Sequence, residues 1–141
     1  MNTPAADPTH HAFDLQHLLA HVAGMPPIRV AVVHPCDEPS LEGALDARRA
    51  GLIEPVLVAP RAKLECVAAA AGFDLSGIAI EDVAHSHAAA ARAAELACAG
   101  KVEALMKGSL HTDELMAAVV ARESGLRTKR RVSHCFVLHT P

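Results

Sequence analysis

The chain has no tryptophan and no tyrosine, and phenylalanine occurs three times in 141 residues. It therefore lacks the stacking platforms on which single-stranded nucleic acids are held. It has no surplus of positive charge either: 13 Lys and Arg stand against 16 Asp and Glu, giving a net charge of −3 and a pI near 6.3. A dedicated polyanion binder presents a basic domain, so no nucleic acid is expected as a partner and any anion has to be met locally. No apolar run approaches the ~20 residues that span a bilayer. The N-terminus, MNTPAADPTHHAFD, lacks the basic stretch that opens a secretory signal. The expectation is a cytoplasmic protein with no membrane partner. Cys36, Cys66, Cys98 and Cys135 form no CxxC pair and fall in apolar surroundings, the usage of buried free thiols in a reducing compartment.

What the chain does have is aliphatic: 51% of residues are hydrophobic, enough for one packed core. Residues 1–24 read as a polar tail and a short amphipathic helix, with Phe13, Leu15, Leu18, Leu19 and Val22 at helical spacing until Gly24 and Pro26-Pro27 stop it. From residue 25 onward, short β-branched runs alternate with alanine-rich stretches. Strands are expected at Ile28–Val33, Pro55–Ala59, Ile78–Ile80 and Ala104–Met106. Helices are expected from Ser40 as N-cap to about Ala50, over Arg61–Ala71, over Ser86–Ala99, and from Thr112 to about Glu123. Apolar strands each followed by a helix predict an α/β fold, a three-layer parallel sheet flanked by helices. A last apolar segment, Arg131–His139, reads as a fifth strand with no helix after it, which points to a fragment of a larger protein.

In open parallel sheets ligands bind outside the carboxyl ends of the strands, which directs attention to His34–Pro39 and to Lys107-Gly108-Ser109-Leu110-His111. The second loop sets a cation, a glycine, a hydroxyl and an imidazole at a strand-to-helix turn. Such a turn suits phosphate: backbone N–H groups of Gly108 and Ser109 are expected to face an anion, with the Ser109 or Thr112 hydroxyl as a helper or as a helix N-cap. Downstream, Arg127, Lys129, Arg130 and Arg131 concentrate charge beside Thr128, either as a phosphate clamp or as a solvated loop. The ten histidines, among them His17 and His21, His85 and His87, and His34 near Cys36, make no complete ligand set, so no metal is expected. Cys135, beside Ser133 and His134, reads as a core residue, because neighbours on a strand face opposite ways.

The run Leu105-Met106-Lys107-Gly108-Ser109-Leu110-His111-Thr112-Asp113-Glu114-Leu115-Met116, with Gly125-Leu126-Arg127-Thr128 and Arg130-Arg131-Val132-Ser133-His134-Cys135-Phe136-Val137, resembles the phosphate acetyltransferase/phosphate butyryltransferase family. Within it the likeness is closest to the branch fused to enoyl-CoA hydratase-like domains. The opening strand Val30–Pro35 and the segment Gly51–Val58 fit as well, so the resemblance covers residues 25–141. It implies an isocitrate/isopropylmalate-dehydrogenase-like fold of two lobes around a cleft, of which this chain is the N-terminal lobe. The implied reaction is acyl-CoA + phosphate ⇌ acyl phosphate + CoA, with coenzyme A and phosphate as substrates and no bound cofactor. By the same resemblance Lys107, Gly108, Ser109, His111 and Thr112 line the cleft, and Arg127, Thr128 and Ser133 flank it. The base for the CoA thiol belongs to the C-terminal lobe, and a homo-oligomer or that missing lobe would complete the protein. The alternative is a catalytically silent lobe that binds phosphate or CoA or serves in assembly.

Overall fold

The computed structural model describes residues 15–137. They divide into two units, one made of residues 26–131 and the other of residues 15–25 with 132–137. The second unit contains α1 (Leu15–Val22), which buries none of its side chains. Phe13 and Asp14, expected to begin that helix, lie outside the described residues.

The larger unit alternates as its sequence predicts. In chain order it contains β1 (Ile28–Val33), α2 (Glu38–Arg49), β2 (Ile53–Ala59), α3 (Arg61–Ala71), β3 (Ala79–Asp82), α4 (Ser86–Cys98), β4 (Ala104–Lys107), α5 (Thr112–Val120) and a 3₁₀ turn, Arg122–Ser124. All strand pairs are parallel, in the order β3-β2-β1-β4. Successive side chains of a strand face opposite sides of a sheet, and this splits β1 between two cores. Val32, with Leu57, meets Leu41, Ala44 and Leu45 of α2 and Leu64 and Ala68 of α3. Ala31 and Val33, with Val58, meet Ala89, Ala90, Ala93 and Leu96 of α4, with Leu110 and Leu115 completing that side. A strand covered on both faces has to be apolar throughout, which accounts for the unbroken run Val30–Val33. Leu41, Leu57 and Leu64 are fully buried, and truncating any of them to Ala would cost about 2–5 kcal/mol.

Helix ends follow local chemistry. Asp37, not Ser40, caps α2: its carboxylate accepts from the Ser40 N–H at 3.0 Å, and Pro39 sits in the first turn, where its missing N–H costs nothing. Gly72 closes α3 in the left-handed region, at φ 71°, which Gly adopts without strain. Helix α5 is shorter than expected, giving way after Val120 to the 3₁₀ turn.

The expected fifth strand is not formed: residues 131–137 have no strand partner among the described residues, and 138–141 lie outside them. An apolar run becomes a strand only where a neighbour accepts its backbone hydrogen bonds. Here Val132, Phe136 and Val137 are instead 68–74% exposed. The thiols also depart from expectation. Cys66, Cys98 and Cys135 are exposed and Cys36 is half-buried, because alanine and leucine fill the cores.

Candidate functional site

The strand order places the site. Strands β1, β2 and β3 are laid down in one direction, and β4 then returns to the other side of β1. In open parallel sheets ligands bind in the crevice outside the carboxyl ends of the strands at such a reversal. Val33 of β1 pairs with Lys107 of β4, so the loop starting at His34 and the loop starting at Gly108 leave the sheet side by side.

They are joined more tightly than either sequence segment indicates. The Gly108 N–H donates to the Val33 carbonyl at 2.9 Å, and the Ser109 N–H to the His34 carbonyl at 2.9 Å. A Cβ placed on Gly108 would lie 2.5 Å from the Val33 oxygen and 2.6 Å from the His34 oxygen, closer than any side chain tolerates. Gly108 is thus required by the approach of β1, not by a ligand. The expectation that the Gly108 and Ser109 amides face an anion is overturned, since both are spent on this junction.

The side chains continue it. The Ser109 hydroxyl donates to the His34 carbonyl at 2.8 Å, accepts from the Cys36 N–H at 3.3 Å and meets His34 Nδ1 at 3.1 Å. His34 holds φ 54°, the single positive value among the described non-glycine residues, a conformation that sterics disfavour and that functional sites often retain. The buried side chain of Pro35 follows it. Partial burial, then the Lys63 ammonium, push the His34 imidazole below its ordinary pKa of 6.5. The Cys36 thiol is pushed up, chiefly by burial, and is a poor thiolate.

A second knot lies where α4 and α5 begin. His85 caps α4 through Nδ1, which accepts from the Ala88 N–H at 3.2 Å. Glu114, in the first turn of α5, takes hydrogen bonds from the Ser86 hydroxyl and from His87 Nδ1, the latter at 2.8 Å. The Ser86 contact first, and then His87 and the His111 N–H, hold its carboxyl below the usual carboxylate range. This carboxylate occupies the positive ends of two helix dipoles. The N-cap of α5 is His111, without a side-chain cap bond, so the capping role expected of Thr112 is not seen: Thr112 is already helical and exposed.

Lys107 is exposed, and its ammonium reaches the Gly108 carbonyl at 3.1 Å. Arg127 and Thr128 are exposed too, the Thr128 hydroxyl accepting from the Arg130 N–H at 3.1 Å. They follow Gly125, which is packed on Cys98 at the C-terminal end of α4, the opposite end of that helix from His85 and Glu114. Ser133 is exposed in the other unit. The structure thus gathers Lys107, Gly108, Ser109, His111 and Thr112 at one sheet end and leaves Arg127 and Thr128 outside that group. Sequence reasoning singled out the loop His34–Pro39 by its place at a strand's carboxyl end but weighed the His34 side chain only as a metal ligand, and it missed Lys63, which lies in the first turn of the helix after β2. No group of three or more metal-ligating side chains forms among the described residues. A groove of about 360 Å³ lined by Leu45, Arg48, Arg49, Gly72, Phe73 and Asp74 lies at the other end of the sheet, beside the C-terminal ends of α2 and α3.

No family model matches the chain. Individual proteins do. The chain is 55% identical over 124 residues to the phosphate acetyltransferase of Rhizobium meliloti, covering 88% of this chain and 39% of that protein. It is 51% identical over 121 residues to that of Rickettsia felis, covering 86% and 35%. To the phosphate butyryltransferase of Clostridium acetobutylicum it is 34% identical over 112 residues, covering 79% and 37%. The chain therefore spans well under half the length of these relatives. Among solved structures its fold is like that of a phosphotransacetylase from Staphylococcus aureus, with TM-score 0.62 and 16% identity over 84% of this chain and 43% of the other. It is also like a branched-chain phosphotransacylase from Enterococcus faecalis V583, with TM-score 0.53 and 17% identity over 69% of this chain and 33% of the other. The resemblance read in the sequence is thus matched twice: by sequence over most of its own length, and by fold, this chain is a relative of the phosphate acetyltransferases and phosphate butyryltransferases.

Proposed function

We propose that this chain is one lobe, the N-terminal one, of a phosphate acyltransferase that interconverts acyl-CoA and phosphate with acyl phosphate and CoA, the acyl group being acetyl or butyryl. The observation that carries the reading is the extended identity with phosphate acetyltransferases across a stretch that includes both loops of the crevice. Such a reaction needs a bound phosphate, stabilisation of the oxyanion on the acyl carbon, and management of one proton. On this reading Lys107 supplies a point charge to phosphate, and His111 and Thr112 stand beside it at the start of α5, where Glu114 already occupies the positive end of the helix dipole. Arg127, Thr128 and Ser133 belong to the segment leading to the second lobe and join the site only when that lobe is present. The reaction requires no bound cofactor or metal.

The alternative, a silent lobe that binds phosphate or CoA, is separated from this reading by one assay. The 141-residue chain and a chimera in which it replaces the matching stretch of the Rhizobium meliloti protein are each given acetyl-CoA or butyryl-CoA with phosphate. The expected result is acyl phosphate from the chimera at about 1–10³ s⁻¹ and little from the chain alone. A folded chimera that makes no acyl phosphate would refute the reading.

A further inference from the structure

The groove beside the C-terminal ends of α2 and α3 has an apolar floor and a charged rim. Leu45, 5% exposed, belongs to the core under those two helices, and Phe73 packs against that core. The Phe73 N–H donates to the Ala68 carbonyl at 2.8 Å, just after left-handed Gly72, so the turn that ends α3 fixes the backbone of Phe73. The volume, about 360 Å³, is that of a site for a small molecule.

The rim carries both signs. Arg49 is taken up by Asp46, three residues before it on α2. The Arg48 guanidinium has no hydrogen bond and no ion pair among the described residues. Its Nη2 lies over the turn at Gly77, 3.5 Å from where a Cβ on that residue would stand. Asp74 feels the Arg48 charge, but it accepts its hydrogen bond from the Ser76 N–H, at 2.8 Å. Contacts with Ser76 first, and then Arg48, hold the Asp74 carboxyl below the usual carboxylate range, so it is ionised at neutral pH. A bare anion in the groove would meet Asp74 and the negative ends of two helix dipoles, whereas a bare cation would meet Arg48. A small molecule with one group of each sign and an apolar body satisfies the rim and the floor together.

We propose that this groove binds a free α-amino acid with an aliphatic or aromatic side chain. The carboxylate pairs with the Arg48 fork, the ammonium with Asp74, and the side chain covers Leu45 and Phe73. The groove lies at the other end of the sheet from the loops of His34 and Gly108, so the amino acid is a separate ligand and not a substrate of those loops. Its binding does not depend on the acyltransferase reading.

Titration of the ¹⁵N-labelled 141-residue chain with L-leucine is expected to move the amide signals of Gly72, Phe73 and Gly77, saturating with a Kd of about 1 mM or below. Glycine, N-acetylleucine and leucinamide lack in turn the apolar body, the ammonium and the carboxylate. Each should bind at least about 10-fold more weakly. Arg48→Gln removes the fork, and Asp74→Asn keeps an oxygen for the Ser76 N–H while removing the charge; both side chains are exposed, so the fold should survive. R48Q is expected to weaken L-leucine binding by at least about 10-fold, and D74N to reduce the preference for L-leucine over N-acetylleucine. Shifts that do not saturate over this range overturn the proposal, as does an analogue that matches L-leucine on the wild type. So does a folded R48Q chain with unchanged Kd, or a D74N chain with unchanged preference.

Discussion

The hydroxyl of Ser109 is bound to both the carbonyl and the imidazole of His34, 75 positions earlier, at 2.8 Å and 3.1 Å. One side chain thereby ties the ends of β1 and β4 together outside the sheet. Ser109→Ala is expected to lower stability by about 1 kcal/mol, the ordinary net worth of such a bond, with increased amide exchange at Gly108 and Ser109, whose N–H groups cross the same junction to Val33 and His34. Denaturant unfolding and hydrogen exchange measure both; unchanged exchange there would show that the serine does not hold the two loops together.

Gly108 tolerates no side chain. Because the atoms a Cβ would strike are the backbone oxygens of Val33 and His34 at 2.5 and 2.6 Å, the strain cannot be relieved by a rotamer change. Gly108→Ala is expected to destabilise by roughly 1–3 kcal/mol or more and to part β4 from β1. Thermal unfolding, with chemical shifts of Leu105 and Met106 as the local readout, checks this.

Glu114 makes stability depend on acid. Its pKa is lowered in the folded chain, by Ser86 first and then by His87 and the His111 N–H. The unfolded chain therefore binds the proton more readily, so the contribution of Glu114 is full above its ordinary pKa of 4.5 and is lost as pH falls through the lowered folded value. Glu114→Gln should flatten the stability curve in that acid range, as followed by urea midpoints against pH. A variant curve parallel to the wild type would count against the Ser86 and His87 contacts.

Phosphate binding should divide the two groups of basic residues. In the chain alone, Lys107→Ala is expected to weaken phosphate binding by about 1–3 kcal/mol, whereas Arg127→Ala changes it little. In the chimera both should matter. Calorimetric titration of the chain and the chimera, each with and without either substitution, decides; an equal loss for both variants in the chain alone would place Arg127 beside Lys107 without any second lobe.

Apolar side chains left in water invite association. Val132, Phe136 and Val137 are 68–74% exposed, so the 141-residue chain should self-associate as its concentration rises. Phe136→Ser should shift the equilibrium toward monomer in sedimentation, and an unshifted profile would place the contact elsewhere.

The sequence by itself determined the local architecture of this protein. The apolar run Val30–Val33 makes a strand buried on both faces, the alanines from Ala88 to Ala94 make a helix that lies close to a sheet, and Gly72 ends a helix where its pattern stops. These features follow from propensity and periodicity within a few residues, so they were legible, as was the importance of the Lys107–Thr112 loop. What the tertiary structure decided was partnership. That β4 lies beside β1 and not beside β3 is a matter of hydrogen bonds between segments more than 70 residues apart, for which the local pattern carries no mark. The same pairing turned Gly108 from a ligand-approach residue into a packing requirement, consumed the amides expected to face an anion, and set His34 against Ser109. The apolar run Arg131–Val137 forms no strand, because its backbone has no strand partner among the described residues. A strand needs a second chain segment to exist, whereas a helix satisfies its own backbone.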